Sequence, residues 1–263
     1  MDPISKTKIE PKFDQGLVPL QKHLERADEM KDGWGTTDKY STSNVELDLY
    51  LGGGYGRRKG YEIILIFGGT GMGKSTVGLN FMVDPIRKGD NVGLMILEDD
   101  PADVVNRMRL IYGPDIDQKR NVFFVNDQSD GYTLEQALDA IENWFKVCDV
   151  VFLDHLEYLW KGSVGQSDKD KWTAQEIWMR KLNLLMKKTG KTIVMVQHVN
   201  KSAEGGMNSI MGSSSLQQTA TKVIEYGRNK DGTSMLRLWK TRFTPYRTES
   251  MQLVVDNFKL RAV

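Results

Sequence analysis

One cysteine, Cys148, stands among 263 residues, so an intramolecular disulfide is excluded and the chain suits a reducing, cytoplasmic setting. Beside an apolar run, Cys148 is expected as a small core residue and not as a nucleophile. Long apolar stretches are lacking too. None approaches the roughly 20 residues that a membrane-crossing helix needs, and no secretory signal opens the chain, so neither a membrane span nor export is expected. Charge of one sign is not in excess: 36 Lys plus Arg face 35 Asp plus Glu. A nucleic acid partner must then be held by a local patch or a channel, because the overall field would not attract one. Internal repeats and low-complexity tracts are absent. What is present is ordinary globular material, 40% hydrophobic and 27% charged, long enough for one well-buried domain.

The most informative stretch is Gly68-Gly69-Thr70-Gly71-Met72-Gly73-Lys74-Ser75. It fits G-x-x-x-x-G-K-[ST] (Walker A), with the apolar run 63–67 before it and a helix-compatible 76–82 after it, the context that this phosphate-binding loop requires. Backbone N–H groups must close around phosphate oxygens, and glycine lets the chain bend that tightly with no Cβ in the way. The free amides and dipole of the following helix favour an anion at the same point. Gly68, Gly71, Gly73 and Thr76 then frame the nucleotide, Lys74 reaches its β- and γ-phosphates, and Ser75 ligates magnesium. The expected ligands are ATP, or another NTP or dNTP, with Mg²⁺.

Residues 1–16 mix charge with Pro3, Pro11 and Gly16 and are expected as a flexible tail. Leu17, Leu20, Leu24, Ala27 and Met30 recur at helical spacing opposite a charged face. This short linker helix, ended by Gly33, shares 17–44 with a connecting segment and packs either on its own domain or on a neighbouring subunit. Residues 45–263 form the main domain, in which 45–62 lead by a Gly-rich turn into the first strand. Short apolar runs follow at 92–97, 122–125, 150–153 and 193–196, separated by helix-sized pieces at 102–110, 134–145 and 172–188. Such runs suit parallel strands buried on both faces. The alternation predicts an α/β fold with a mostly parallel central sheet and ligands at the carboxyl ends of its strands. Beyond residue 220, the runs 223–226, 235–239 and 251–255 and turn signals such as Asp231-Gly232 predict antiparallel strands at the C-terminal edge.

Three apolar runs end on polar groups. Glu98 closes the second, where a carboxylate can orient and polarise a water attacking a γ-phosphate; Asp99 and Asp100 read as an acidic helix start before Pro101. Asp154 closes 150–153 in a Walker B pattern and is expected to hold Mg²⁺. His155 next to it has no assigned role. Gln197-His198 close 192–196, and His198 is placed to sense the γ-phosphate. The loop 200–215, long and polar, is either an ordinary surface loop or the DNA contact, with Asn200, Lys201 and nearby amides touching a single-strand backbone. Lys240-Thr241-Arg242 follow a late strand; arginine is the usual finger for transition-state charge, often supplied in trans.

Taken together, Gly-Met-Gly-Lys-Ser-Thr (71–76), Val-Gly-Leu-Met-Ile-Leu-Glu (92–98), Phe-Leu-Asp-His (152–155), Gln-His (197–198), Leu-Gln-Gln (216–218), Glu-Tyr-Gly-Arg-Asn (225–229) and Lys-Thr-Arg-Phe-Thr (240–244) resemble the RecA-like core of DnaB-type hexameric replicative helicases. The resemblance covers roughly 17–260 and is nearest to the helicase half of phage primase-helicases and their mitochondrial relative Twinkle. It implies that Glu98 is the catalytic base, Asp154 the Walker B acid and His198 the γ-phosphate sensor. Gln218 would couple nucleotide to DNA, Arg228 would lie against adenine, and Lys240 and Arg242 would reach the next subunit's nucleotide. The linker helix would close the ring. The family also carries an aromatic that stacks on adenine near the C-terminus, which 251–255 lacks, and an N-terminal primase or collar, for which some 45 residues are too few.

The function expected on these grounds is an ATP-dependent helicase ring, six subunits by the resemblance, that translocates on single-stranded DNA and unwinds forked duplex in replication. Primase, polymerase and single-strand-binding protein are the partners such a motor meets. The competing reading is a RecA-like recombinase or recombination mediator that forms filaments on single strands, since Leu51-Gly52-Gly53-Gly54 suits either class. A slowly hydrolysing nucleotide-binding regulator is the third.

Overall fold

The structure, a computed structural model, describes residues 24, 39–56, 58, 60–124, 134–156, 168–199, 210, 214–229, 233–242 and 249–262. The expected tail and almost all of the linker helix lie outside them; Leu24 alone is described there, helical and exposed.

The strands are β1 (Glu62–Gly68), β2 (Val92–Ile96), β3 (Val122–Phe124), β4 (Val150–Asp154), β5 (Thr192–His198), β6 (Lys222–Arg228), β7 (Ser234–Thr241), β8 (Ser250–Asp256) and β9 (Lys259–Ala262). The helices are α1 (Val45–Tyr50), α2 (Lys74–Phe81), α3 (Val83–Arg87), α4 (Pro101–Tyr112), α5 (Leu134–Val147), α6 (Asp168–Thr189) and α7 (Ser214–Thr219). All nine strands join one sheet in the order β3-β2-β4-β5-β1-β6-β7-β8-β9. The first six of that order run parallel, and β7 to β9 are antiparallel.

The apolar runs are continuous because both faces are covered. Along β1, Ile64 and Ile66 join a core with Val77 and Leu79 of α2 and Val104 and Met108 of α4. Ile63, Leu65 and Phe67 point the other way, into a second core with Ile141 and Phe145 of α5 and Trp178, Leu182 and Met186 of α6. A strand side chain alternates faces at every residue, so a strand clad on both sides has no polar position to spare. Cys148 is buried in the second core, where burial pushes its thiol up to about 11, as expected of an inert core cysteine.

Helix α2 lies tight against β4. A Cβ added at Gly78 would fall 2.1 Å from the Phe152 ring. Gly78→Ala is therefore expected to cost about 1–3 kcal/mol by overpacking, read as a lower urea midpoint, and Phe152→Leu in the same chain should recover most of it. Equal midpoints for wild type and Gly78→Ala would contradict this close packing.

Three departures from the sequence reading have local causes. Residues 45–62 are not merely a turn. Asn44 caps α1, its side chain accepting from the Leu47 N–H at 2.8 Å, and Tyr40 pairs with Tyr55 in an isolated bridge, both rings buried in the first core. The strand expected at 223–226 as antiparallel, β6, is parallel to β1, with Ile64 opposite Lys222, and antiparallel only to β7. Residues 199–221, with α7, supply the crossover that a parallel pairing needs. Last, β9 was not foreseen. Asn257 and Phe258 turn β8 into β9 with φ of 45° and 64°, the positive pair of a tight hairpin, without the glycine that would have announced it.

Candidate active site

Strand β1 delivers the chain to Gly68 at the centre of the sheet, and α2 starts at Lys74. Gly71 and Gly73 adopt φ of 73° and 99°, which favour glycine. A Cβ on Gly68 would sit 2.0 Å from the Tyr226 carbonyl oxygen, whereas one on Gly71 would meet nothing within 4 Å. The loop is thus pressed against β6 at its start and open at its crown. Lys74 is buried and folds back over it, donating to the Gly69 carbonyl at 2.8 Å, with its Nζ 3.2 Å from His198 Nδ1.

The register brings the predicted groups to that point. Gly68 faces His198 across β1 and β5, and Ile96 faces Asp154 across β2 and β4. Glu98, two residues beyond β2, places Oε2 3.0 Å from His155 Nδ1. The same Nδ1 is 2.8 Å from His198 Nε2, and His155 Nε2 lies 2.8 Å from Asp154 Oδ1. His155, given no role from sequence, therefore stands at the junction of Glu98, Asp154 and His198. A histidine following a Walker B acid was the available signal; which strand tips it would touch depended on strand order.

Asp154 is 1% exposed. Its Oδ1 is close to His155 Nε2 in distance but accepts no well-directed hydrogen bond among the described residues. A buried carboxylate oxygen in that state suits a hard cation, so the residues present fit Mg²⁺. Ser75, in the first turn of α2, is half-buried.

On the far side of the loop, a cleft of about 270 Å³ is lined by Met72, Gly73, Thr76, Arg228, Asn257 and Phe258. Arg228 is the last residue of β6, and Phe258, 37% exposed, is at the β8–β9 turn. Asn80 of α2 fixes that turn, donating to the Phe258 carbonyl at 2.7 Å and accepting from the Leu260 N–H at 3.3 Å. The turn thus brings an aromatic side chain, absent from 251–255, to the cleft beside the loop.

A phosphate-binding loop on a parallel sheet defines many ATPases. A profile for the KaiC ATPase matches residues 41–260, most of the chain and every strand described above except the end of β9. The chain belongs to the KaiC ATPase family. As a KaiC-type ATPase it is an NTP-hydrolysing enzyme. It is similar to the DNA helicase/primase of Enterobacteria phage T3, 27% identical over 71% of this chain and 39% of that protein. It therefore spans well under half of that relative. It is also similar to the DNA repair and recombination protein RadB of Methanococcoides burtonii, 23% identical over 76% of this chain and 87% of RadB. Among solved structures, one isolated ATPase domain superposes with a TM-score of 0.70 at 15% identity, covering 97% of this chain and 99% of that one. A RadB recombinase superposes at 0.65 and 15%, covering 85% and 99%. At such identities the superpositions speak to fold alone, and the fold is RecA-like.

In this KaiC-family chain, Lys240 and Arg242 are not at the loop. Thr241 lies opposite Lys222, which lies opposite Ile64, and the Arg242 N–H bonds the Thr221 carbonyl. Arg242 therefore sits level with the start of β1, about five residues or 16 Å of strand from Gly68, and Lys240, opposite Val223 and so level with Leu65, about three residues or 10 Å from it. There they cap α7. Lys240 Nζ donates to the carbonyls of Gln217 and Gln218 at 2.6 and 2.8 Å, and Arg242 Nη2 donates to that of Gln218 at 2.5 Å. The exposed Gln218 thus meets both cations through its backbone. Lys201 and Asn200 lie outside the described residues, but the base of their loop is closed by a Val199–Ile210 bridge, and the Val199 N–H points to the Gly68 carbonyl at 3.4 Å.

Burial, and then Arg242, pushes the Lys240 ammonium down to about 8. With the folded pKa below the unfolded one, the folded chain binds fewer protons between about pH 8 and the ordinary lysine value near 10.4, so this group adds stability as pH rises through that window. Competitive labelling with an amine-specific reagent is expected to show Lys240 reacting with a midpoint near pH 8; a midpoint at an ordinary lysine value would refute it.

Proposed function

We propose that the protein is the ATP-driven motor of a DNA helicase, assembled so that each nucleotide lies between two subunits. The observation that carries this reading is the separation of Arg242 from its own phosphate loop by the length of a strand. A finger so placed serves a neighbour's nucleotide or none. The likeness to a phage helicase/primase supplies the DNA-unwinding part of the proposal.

On this reading, phosphates entering the loop draw Lys74 from the Gly69 carbonyl and from His198. His198 Nδ1, no longer held by the ammonium, turns from Thr70 to the γ-phosphate. Ser75 and Asp154 would hold Mg²⁺, which neutralises phosphate charge when bound. Glu98 orients the attacking water and accepts its proton, and Arg242 of the adjacent subunit steadies the charge spread over the transferring oxygens. The base stacks between Phe258 and Arg228. Phe258→Ala is expected to raise KM for ATP about tenfold, the worth of one stacking contact, with kcat little changed; an unchanged KM would remove Phe258 from the site. The bridge at Val199 and the cap on α7 would carry each nucleotide event to the loop proposed to hold DNA through Asn200, Lys201 and Gln218.

The test mixes the chain with forked duplex, ATP and Mg²⁺. Strand separation that requires hydrolysis is expected. The likeness to RadB over most of that protein favours a second reading, a recombinase-like filament. Electron microscopy with nucleotide and single-stranded DNA separates them: closed rings support the helicase, and open helical filaments with strand exchange support the recombinase.

A further inference from the structure

The junction of Glu98, His155 and His198 has a second chemistry. One ligand atom from each lies within 4.8 Å of the other two. His155 Nδ1 is 3.0 Å from Glu98 Oε2 and 2.8 Å from His198 Nε2. Two bonds of about 2.1 Å to one ion place their donors about 3.0–3.4 Å apart, so modest side-chain shifts admit an ion. Glu98 Oε2, His155 Nδ1 and His198 Nε2 are all lone-pair atoms that a divalent cation can accept as ligands.

The surroundings suit ligation. Each ring has an oxygen near its outer nitrogen: Asp154 Oδ1 at 2.8 Å from His155 Nε2, and Thr70 Oγ1 at 3.3 Å from His198 Nδ1. Such outer partners orient imidazole ligands. A ring that ligates through one nitrogen carries its proton on the other, and Lys74 swings away from His198 to admit it there; no proton need be lost. Two imidazoles and one carboxylate select zinc, cobalt or nickel over magnesium, which prefers oxygen alone. Glu98 is exposed enough to admit the ion, while both histidines are buried.

We infer that Glu98, His155 and His198 form a site for a late first-row divalent cation, filled in the nucleotide-free enzyme and mutually exclusive with nucleotide. The exclusion rests on the proposed function, in which Glu98 and His198 turn to water and γ-phosphate; binding of the metal itself does not. While the ion is held, hydrolysis stops, so the site would act as a metal-sensitive lock.

Cobalt(II) titrated into the nucleotide-free full chain tests it. The chain has three histidines, so the background is small and His23→Asn is the control. The expected result is one cobalt per chain with visible d–d absorption, displaced by zinc and untouched by millimolar magnesium, unchanged in His23→Asn and weakened at least 100-fold in His155→Asn. Glu98→Gln, altering an exposed group, should weaken it at least tenfold and guards against misfolding of the histidine variant. Wild-type affinity in both variants, or loss of the signal with His23→Asn, overturns the site. A non-hydrolysable ATP analogue with magnesium, which carries the γ-phosphate, should lower cobalt affinity at least tenfold; analogue and cobalt binding together without mutual effect overturns the lock. A chain that binds cobalt as described but no nucleotide refutes the proposed function and leaves the metal site standing.

Discussion

Arg242→Ala is expected to slow ATP hydrolysis by about 10³-fold or more, the range that a transition-state arginine commands, while nucleotide still binds. Arg242 stands about 16 Å of strand from Gly68, and its present partner is the Gln218 carbonyl. The decisive measurement mixes two inactive variants. An Arg242→Ala chain keeps an intact loop, and a Lys74→Ala chain keeps an intact finger, so an interface between them holds one complete site. Activity returning on mixing, at a sizeable fraction of wild type, is the expected result. If no mixture recovers activity although the chains co-assemble, Arg242 does not act across a subunit boundary.

Nearly as large an effect is expected at Glu98. Glu98→Gln keeps the shape and can still reach His155, but it cannot accept a proton from water; general-base loss of this kind costs about 10²–10⁴ in rate. Nucleotide affinity should hold within a few-fold, because under the proposed function it is the loop and Lys74 that grip the phosphates. The check is single-turnover hydrolysis beside equilibrium binding. A variant retaining a tenth of the wild-type rate would hand the role to another group.

These expectations draw on features that were unevenly legible in the sequence. Strands β1, β2, β4 and β5 announced themselves because strands covered on both faces leave unbroken apolar runs, and a polar residue at the end of such a run marks the strand tip. Hence Glu98, Asp154 and His198 could be picked out, and the structure brings them together beside Lys74. What depended on neighbours could not be read. The direction of β6 is set by the length of the crossover before it, and residues 223–226 look alike in either direction. Phe258 lies in a hairpin turn held by Asn80, 178 residues earlier in the chain. The place of His155 followed only once β2, β4 and β5 were known to be adjacent. Lys240 and Arg242 were found as residues, but their grip on the carbonyls of α7 is a tertiary contact with no sequence trace.

Placing the loop and its proposed finger at opposite ends of β1 also bears on symmetry. A two-fold dimer can fill each loop with the partner's finger only where both lie in one self-complementary patch, and it then stops at two subunits. Where loop and finger face different neighbours, every contact is head-to-tail, and repetition gives either a closed ring or an open helix. A ring completes all its nucleotide sites, whereas a helix always leaves one loop unserved at one end and one finger idle at the other. Helicase and recombinase would then differ by the rotation between successive copies, not by the chemistry of any single site.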